Sequence, residues 1–331
     1  MRDETALLDA SILTLSFSGD FEYGRMLCQS VDRFVAPAIS HRLFVPTRDL
    51  GLFAPLAGLR RTIGSQDRDL LPRWLWKLPM PKPRLREWLR LPRRNLYLSL
   101  YGPPVRGWIA QQIMKIAACA DGPTEIVMHV DSDGVFIRRL TTDALVRPDG
   151  KVRFYRDPKP SDLATHQLWR ATACRLLGLR PDSIEAGDYI GLCVVWRRSI
   201  VRRMIARIEE VGGGDWRKIL ARTPHFSEYT LYGLFVESLG ISAAGHFITE
   251  ASPVHCVWEE ALADPEEEAA FTRALRPDQF ACLIQSTVAM DLDARRRLFE
   301  RVASRAREQD AGSARTVQAE LSRSESRKRQ F

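Results

Sequence analysis

The chain has 331 residues, 45% of them hydrophobic and 27% charged, with a formal net charge of +8. That length holds one large α/β domain with appendages or two ordinary domains, and the balance of apolar and charged residues excludes wholesale disorder. No apolar run approaches the roughly 20 residues that span a bilayer, so any membrane contact is expected to be peripheral.

From the amino end, ASILTLSFSGDFE reads as a strand that stops at Ser16 and Ser18, a loop through Gly19, and a helix start near Tyr23. RMLCQSVDRFV places Met26, Leu27, Ser30, Val31 and Phe34 on one helical face, and HRLFVPT reads as the next strand. This is a βαβ unit opening a parallel sheet. LPRWLWKLPMPKPRLREWLRLPRR follows, where five prolines forbid a long helix and predict an excursion from the sheet. PPVRGWIAQQIMKIAACADG carries two prolines before a helical pattern through Ile109, Ile113, Ile116 and Ala117, with a glycine stop.

The stretch EIVMHV, at 125–130, then reads as a buried strand, as does DYIGLCVVWRR. SIVRRMIARIEEVGGG and FSEYTLYGLFVESLG read as helices. The expected organisation is one α/β domain over 1–260, including a basic excursion over 60–106. A helical appendage over 261–310 follows, then a mobile basic tail over 311–331 that lacks the apolar content to pack. Six cysteines without a CxxC pair, and no signal peptide ahead of them, predict reduced thiols in a cytoplasmic protein without structural zinc.

The positive charge is local. Between Arg60 and Arg106 twelve Lys or Arg stand against Asp67, Asp69 and Glu87, interleaved with Trp74, Trp76 and Trp88, with Trp108 just beyond. No nucleic-acid-binding motif accompanies this charge, so no nucleic acid is expected. Cations that attract anionic lipid, with tryptophans at headgroup depth, fit a peripheral contact on the inner face of the membrane. The same residues also suit an ordinary solvated surface whose tryptophans pack onto the domain.

The strand EIVMHV ends on Asp131, Ser132 and Asp133, two acids that are costly to bury unpaired. Ligands of open parallel α/β sheets bind at the carboxyl ends of the strands. There two carboxylates one residue apart can converge on a divalent ion, which offsets their mutual repulsion. Hard oxygen ligands select Mg²⁺ or Mn²⁺, and such ions usually complete their shell with water and substrate phosphates.

An apolar strand ending in DSD, followed by Val135, Phe136, Ile137 and Arg138, resembles the DxD segment of GT-A nucleotide-sugar glycosyltransferases, in particular a little-characterised bacterial group. LSFSGDFE and RGWIAQQIMKI resemble the nucleotide-facing segments of that superfamily, DYIGLCVVWRR its sugar-site strand, and HFSEYTLYG its acid-bearing acceptor segment, over roughly residues 10 to 260. The resemblance implies a GT-A fold, a Rossmann-like, mostly parallel sheet flanked by helices. It also implies metal-dependent transfer of a sugar from a nucleotide diphosphate donor to a glycan or lipid-linked acceptor. On this reading Asp131 and Asp133 hold Mn²⁺ or Mg²⁺, with His255 as a third ligand and His246 as a lesser candidate. Phe17 and Asp20 meet base and ribose, and Arg106, Lys115 and Ser132 face the diphosphate or the acids.

Glu228 is the candidate base toward the acceptor hydroxyl; equally, it suits the first turn of a helix capped by Ser227. His166 and Trp169 could line an acceptor groove or pack in the core. HVDSDGVFI also matches the pattern of haloacid-dehalogenase-like phosphatases, with Asp131 as nucleophile, although that motif usually occupies the first strand of its domain. A catalytically inactive fold serving as a binding module is the remaining alternative.

Overall fold

A computed structural model of the chain describes residues 9–78, 95–185, 187–258, 262 and 264–328, with side chains as far as 312. In chain order the strands are β1 (Ala10–Leu15), β2 (Ser40–Val45), β3 (Arg61–Ser65), β4 (Leu75–Lys77), β5 (Leu96–Ser99), β6 (Val105–Arg106) and β7 (Ile126–His129). They continue with β8 (Gly134–Phe136), β9 (Val152–Tyr155), β10 (Val194–Arg197), β11 (His246–Thr249), β12 (Val254–Val257) and β13 (Ala281–Ile284). The helices are α1 (Phe21–Phe34), α2 (Leu50–Phe53), α3 (Gly107–Ala120), α4 (Ala164–Leu177) and α5 (Arg198–Gly212). Further along come α6 (Trp216–Ala221), α7 (Glu228–Ser238), α8 (Pro265–Arg273) and α9 (Leu292–Lys328).

The chain divides into two units. The first comprises residues up to Phe21, Pro37–Ser132 and Thr141–Ser252; the second comprises Glu22–Ala36, Asp133–Leu140 and everything from Pro253. The boundary expected near 260 therefore falls inside the second unit, which also takes in two earlier segments.

The first unit is built on a five-stranded sheet of order β10-β7-β1-β2-β3. β7, β1, β2 and β3 run parallel and β10 pairs antiparallel with β7, so the expected mostly parallel α/β sheet is present. β1 and β7 are buried at every position, Ser11, Thr14 and His129 included, as strands covered on both faces must be. Against the sheet lie α3, whose apolar face buries Ile109, Ile113, Ile116 and Ala117, α5 and α7, with α6 packed on α3 and α5. α5 ends at Gly213, whose positive φ of 65° makes the left-handed turn that a glycine stop provides.

DYIGLCVVWRR does not form one long strand. Only Val194–Arg197 is extended, because Cys193 takes a left-handed backbone with φ 55° immediately before it. In the basic excursion, β4, β5 and β6 form a small antiparallel sheet; 79–94, with Trp88 and half of the arginines, lie outside the described residues. Trp74 packs onto the first unit's core and Trp76 is 43% exposed. Among the described residues no helix is long and apolar enough to cross a membrane.

The second unit packs the sheet β12-β13-β8 with α1, α8 and the first half of α9. Leu298, Phe299, Val302, Ala303 and Ala306 repeat at helical spacing on α9 and bury against Met26, Val135, Ile137 and Cys282. The tail expected to be mobile is helical as far as Lys328, and its run of Ala, Gln, Glu, Leu, Arg and Lys supplies the propensity.

Candidate functional site

Because β7, β1, β2 and β3 are parallel, the segments that follow them emerge at one edge of the sheet. From β1 the chain proceeds to β2 and β3 on one side, whereas β7 lies on the other. The crevice between β1 and β7 is therefore the topological switch point, where open α/β sheets bind ligands. It receives the loop Ser16–Asp20 from β1 and the loop Val130–Ser132 from β7.

The two loops are linked within the first unit. The Ser132 hydroxyl donates to Asp20 Oδ2 at 3.3 Å. Burial, opposed by that hydrogen bond and reinforced by the charge of Asp131, raises the Asp20 carboxyl above its ordinary pKa of 3.8. The β1 loop is anchored on its other side by the buried Asp49, whose Oδ2 accepts the Ser18 amide at 2.9 Å. Phe17 is 43% exposed, and its ring lies over Gly19, where a Cβ would come within 2.4 Å of the ring edge. Only glycine allows that flat, exposed ring its position.

Beneath Asp131 sits a buried cation. Lys115, from the inward face of α3, places its Nζ 3.1 Å from Glu228 Oε1 and 3.5 Å from Asp131 Oδ1, and donates to the Tyr229 hydroxyl at 3.0 Å. Burial works against the ammonium charge, but Asp131, Tyr229 and Glu228 together overcome it and hold its pKa well above 10.5. Lys115 and Glu228 are nearly closed to solvent, whereas the Asp131 side chain is 41% exposed. Asp131 is thus held from below and open above.

Glu228 stands in the first turn of α7, as its sequence context predicts. Ser227 caps the helix, accepting from Thr230 N at 3.4 Å, and the Glu228 amide donates to Gln112 Oε1 at 2.8 Å. Its carboxylate faces Lys115 rather than solvent. Arg106 is turned away from the acids: it donates to the Pro224 carbonyl at 2.6 Å and approaches His225 Nδ1 at 3.4 Å, bracing the segment that leads into α7.

Tyr229 and His129 complete this centre, and neither was singled out in the sequence. Tyr229 had a signal, its place directly after Glu228. His129, on the last position of β7, is 2% exposed with its ring centre 4.1 Å from that of Trp196. Neither of its ring nitrogens finds a hydrogen-bond partner among the described residues. Burial, with the charges of Lys115 and Arg42, drives its pKa well below 6.5.

The remaining candidates have partners of their own. Asp133, in the second unit, accepts the Ser286 amide on Oδ2 at 3.0 Å. His255, also in the second unit, donates Nε2 to the Phe271 carbonyl at 2.8 Å and stacks on the Phe271 ring at 4.0 Å. An imidazole so engaged keeps only Nδ1 for a metal. His246 is 1% exposed, with Nε2 2.9 Å from the Tyr232 hydroxyl and Nδ1 3.1 Å from the Val152 carbonyl, a structural histidine in both contacts. Among the described residues no group of three or more His, Cys, Asp and Glu gathers in a way that could hold a metal ion. Asp20 and Asp131 do supply the hard, mutually repelling oxygens that a divalent cation would relieve.

The chain finds no match among curated proteins. A family model does match, over residues 6–303, and the chain therefore belongs to DUF6492, a family of unknown function.

Proposed function

We propose that the protein is a metal-dependent nucleotide-sugar glycosyltransferase of GT-A type, using the crevice between β1 and β7 for its donor. One observation carries the reading. At the switch point of a mostly parallel sheet, the half-exposed Asp131 is fixed from below by the buried Lys115–Glu228 pair and stands beside Asp20. An acidic edge braced by a buried cation is suited to a ligand that brings its own positive charge, a divalent ion on a diphosphate.

Residue roles follow from the surroundings. Asp131 and Asp20 would face the ion, Asp133 being carried by its place in the DSD motif alone. When bound, Mn²⁺ or Mg²⁺ would neutralise the diphosphate and make it a better leaving group. Phe17 offers an exposed ring face for a nucleobase. Lys115, closed to solvent, orients Asp131 rather than touching phosphate, and Glu228 holds Lys115 in place. The antiparallel β10 beside β7 and the DSD context support GT-A over the phosphatase alternative, because β7 is not the first strand of its sheet.

The test is thermal shift of the full chain with nucleoside diphosphates, with and without Mn²⁺. Stabilisation that needs both and is lost in Asp131→Asn supports the reading, since a ligand that binds only the native state raises the melting temperature. No shift with any nucleotide, or release of phosphate from a generic phosphomonoester that Asp131→Asn abolishes, refutes it.

A further inference from the structure

Two helices of the first unit build a column of three stacked rings away from Asp131. Trp108, in the first turn of α3, stacks on Trp169 of α4 with centres 5.2 Å apart and planes at 28°. Trp169 stacks in turn on His166 at 4.8 Å and 27°. His166 and Trp169 are three residues apart on α4 and so share one helical face. The column is not closed over: Trp108 is 44% exposed, and Leu163, just before α4, and Leu168 on it are 60% and 44% exposed. Exposed aromatic and aliphatic surface where the starts of two helices meet marks a place where something else packs.

Its polar end is built with equal care. His166 Nδ1 lies 2.6 Å from Asp188 Oδ2. Asp188 is itself fixed, its Oδ1 accepting the Ile190 amide at 2.9 Å and its backbone exchanging two hydrogen bonds with Asp157. The carboxylate sets the imidazole tautomer with the proton on Nδ1, which leaves Nε2 as an acceptor of a hydroxyl proton. Among the described residues Nε2 makes no hydrogen bond. The nearby Arg170 guanidinium donates to the Pro181 and Ile184 carbonyls, while the group that holds His166 is the Asp188 carboxylate.

These features select a ligand class. A phosphate or nucleic-acid backbone would be repelled by the Asp188 carboxylate, and the Arg170 guanidinium is directed to backbone carbonyls. A pyranose ring suits the open end of the column: its C–H face packs on the electron-rich outer face of Trp108, which Trp169 and His166 hold from behind. Trp108 and Lys115 are seven residues apart on α3 and so lie on the same helical face, about 10 Å along its axis. An oligosaccharide spans that separation.

We infer that Trp108, backed by Trp169 and by the His166–Asp188 pair behind it, presents a glycan-binding face that seats a sugar ring of the acceptor. Only the word acceptor rests on the transferase reading; sugar binding at the rings stands independently of it.

The experiment titrates the full chain with neutral oligosaccharides, cellotriose, maltotriose and chitotriose, followed by tryptophan fluorescence and saturation-transfer NMR. At least one is expected to bind, at least tenfold more weakly in Trp108→Ala and in Trp169→Ala and unchanged in Asp149→Asn, at an exposed turn. Trp108 is exposed, so its variant keeps the test decisive if Trp169→Ala fails to fold. No binding by any of the three sugars, binding indifferent to Trp108→Ala, or quenching by single-stranded oligonucleotides in their place overturns the inference. Nucleotide-dependent thermal shift in the same variants separates the two readings: its absence beside intact sugar binding removes the transferase and leaves the platform.

Discussion

Lys115 and Glu228 form a 3.1 Å ion pair with side chains only 9% and 5% exposed, and the same ammonium reaches Asp131 at 3.5 Å. Three elements, α3, α7 and the loop after β7, therefore meet on one buried charge. That convergence makes the stability of the crevice depend on single side chains.

Lys115→Met leaves Glu228 buried without its cation, and breaking a buried pair from one side costs about 3–5 kcal/mol. The double variant Lys115→Met/Glu228→Gln should recover part of that loss, because the stranded charge is removed. Urea unfolding midpoints of both variants check this. A lysine whose folded pKa is raised contributes fully below about pH 10.5 and loses its contribution as pH rises through the folded value, so wild-type stability should fall at alkaline pH more steeply than that of the double variant.

Asp20→Asn should raise the melting temperature at pH 7 in the absence of ligand. The folded carboxyl has a raised pKa, so its ionisation costs stability once pH climbs above 3.8, and the cost is complete above the folded value. Asparagine removes it. Melting curves at pH 7 and pH 3 should show the gain only at pH 7, while nucleotide-dependent stabilisation in Mn²⁺ weakens.

Acid should unfold the protein well above the carboxylate range. Burial, with the charges of Arg61 and Arg60, pushes His41 down to about 3; burial, despite the Val152 carbonyl, pushes His246 down to about 4; and His129 lies well below 6.5. Each stays neutral in the fold and protonates in the unfolded chain, so stability drops as pH falls below 6.5, by about 1.4 kcal/mol per pH unit for each histidine. Denaturant midpoints between pH 7 and pH 4 should reveal a slope that His129→Phe makes shallower by about one such increment.

Gly233→Ala should destabilise despite alanine's better helix propensity. A Cβ at Gly233 of α7 would lie 2.2 Å from the Tyr189 ring, and Tyr189 cannot retreat because it is buried and its hydroxyl donates to Glu237 at 2.7 Å. Overpacking of this kind costs about 1–3 kcal/mol. Unfolding midpoints should drop accordingly, whereas Gly213→Asn, at an open left-handed position, should cost far less.

The one-dimensional pattern was sufficient for whatever depends on local chemistry. Periodicity marked β1, β7, α3, α5 and α7, prolines marked the start of α3, and a glycine marked the end of α5, because each signal acts within a few residues of itself. The acids at the end of β7 and the cap at Ser227 were legible for the same reason. Contacts between distant segments were not. That Lys115 would turn to Glu228 and Asp131 while Arg106 turned to Pro224 depends on the packing of α3 against α7. That Asp188 would fix His166, and that Trp108 would stack on Trp169, depends on the approach of chain segments about 20 to 60 residues apart. The second unit's assembly from three separated stretches was beyond reach too, since no local signal encodes which helix a strand will choose. Residue type and spacing decided which groups were available for chemistry; burial and partnership, set only by tertiary packing, decided which of them stay charged, which face solvent and which merely hold the others in place.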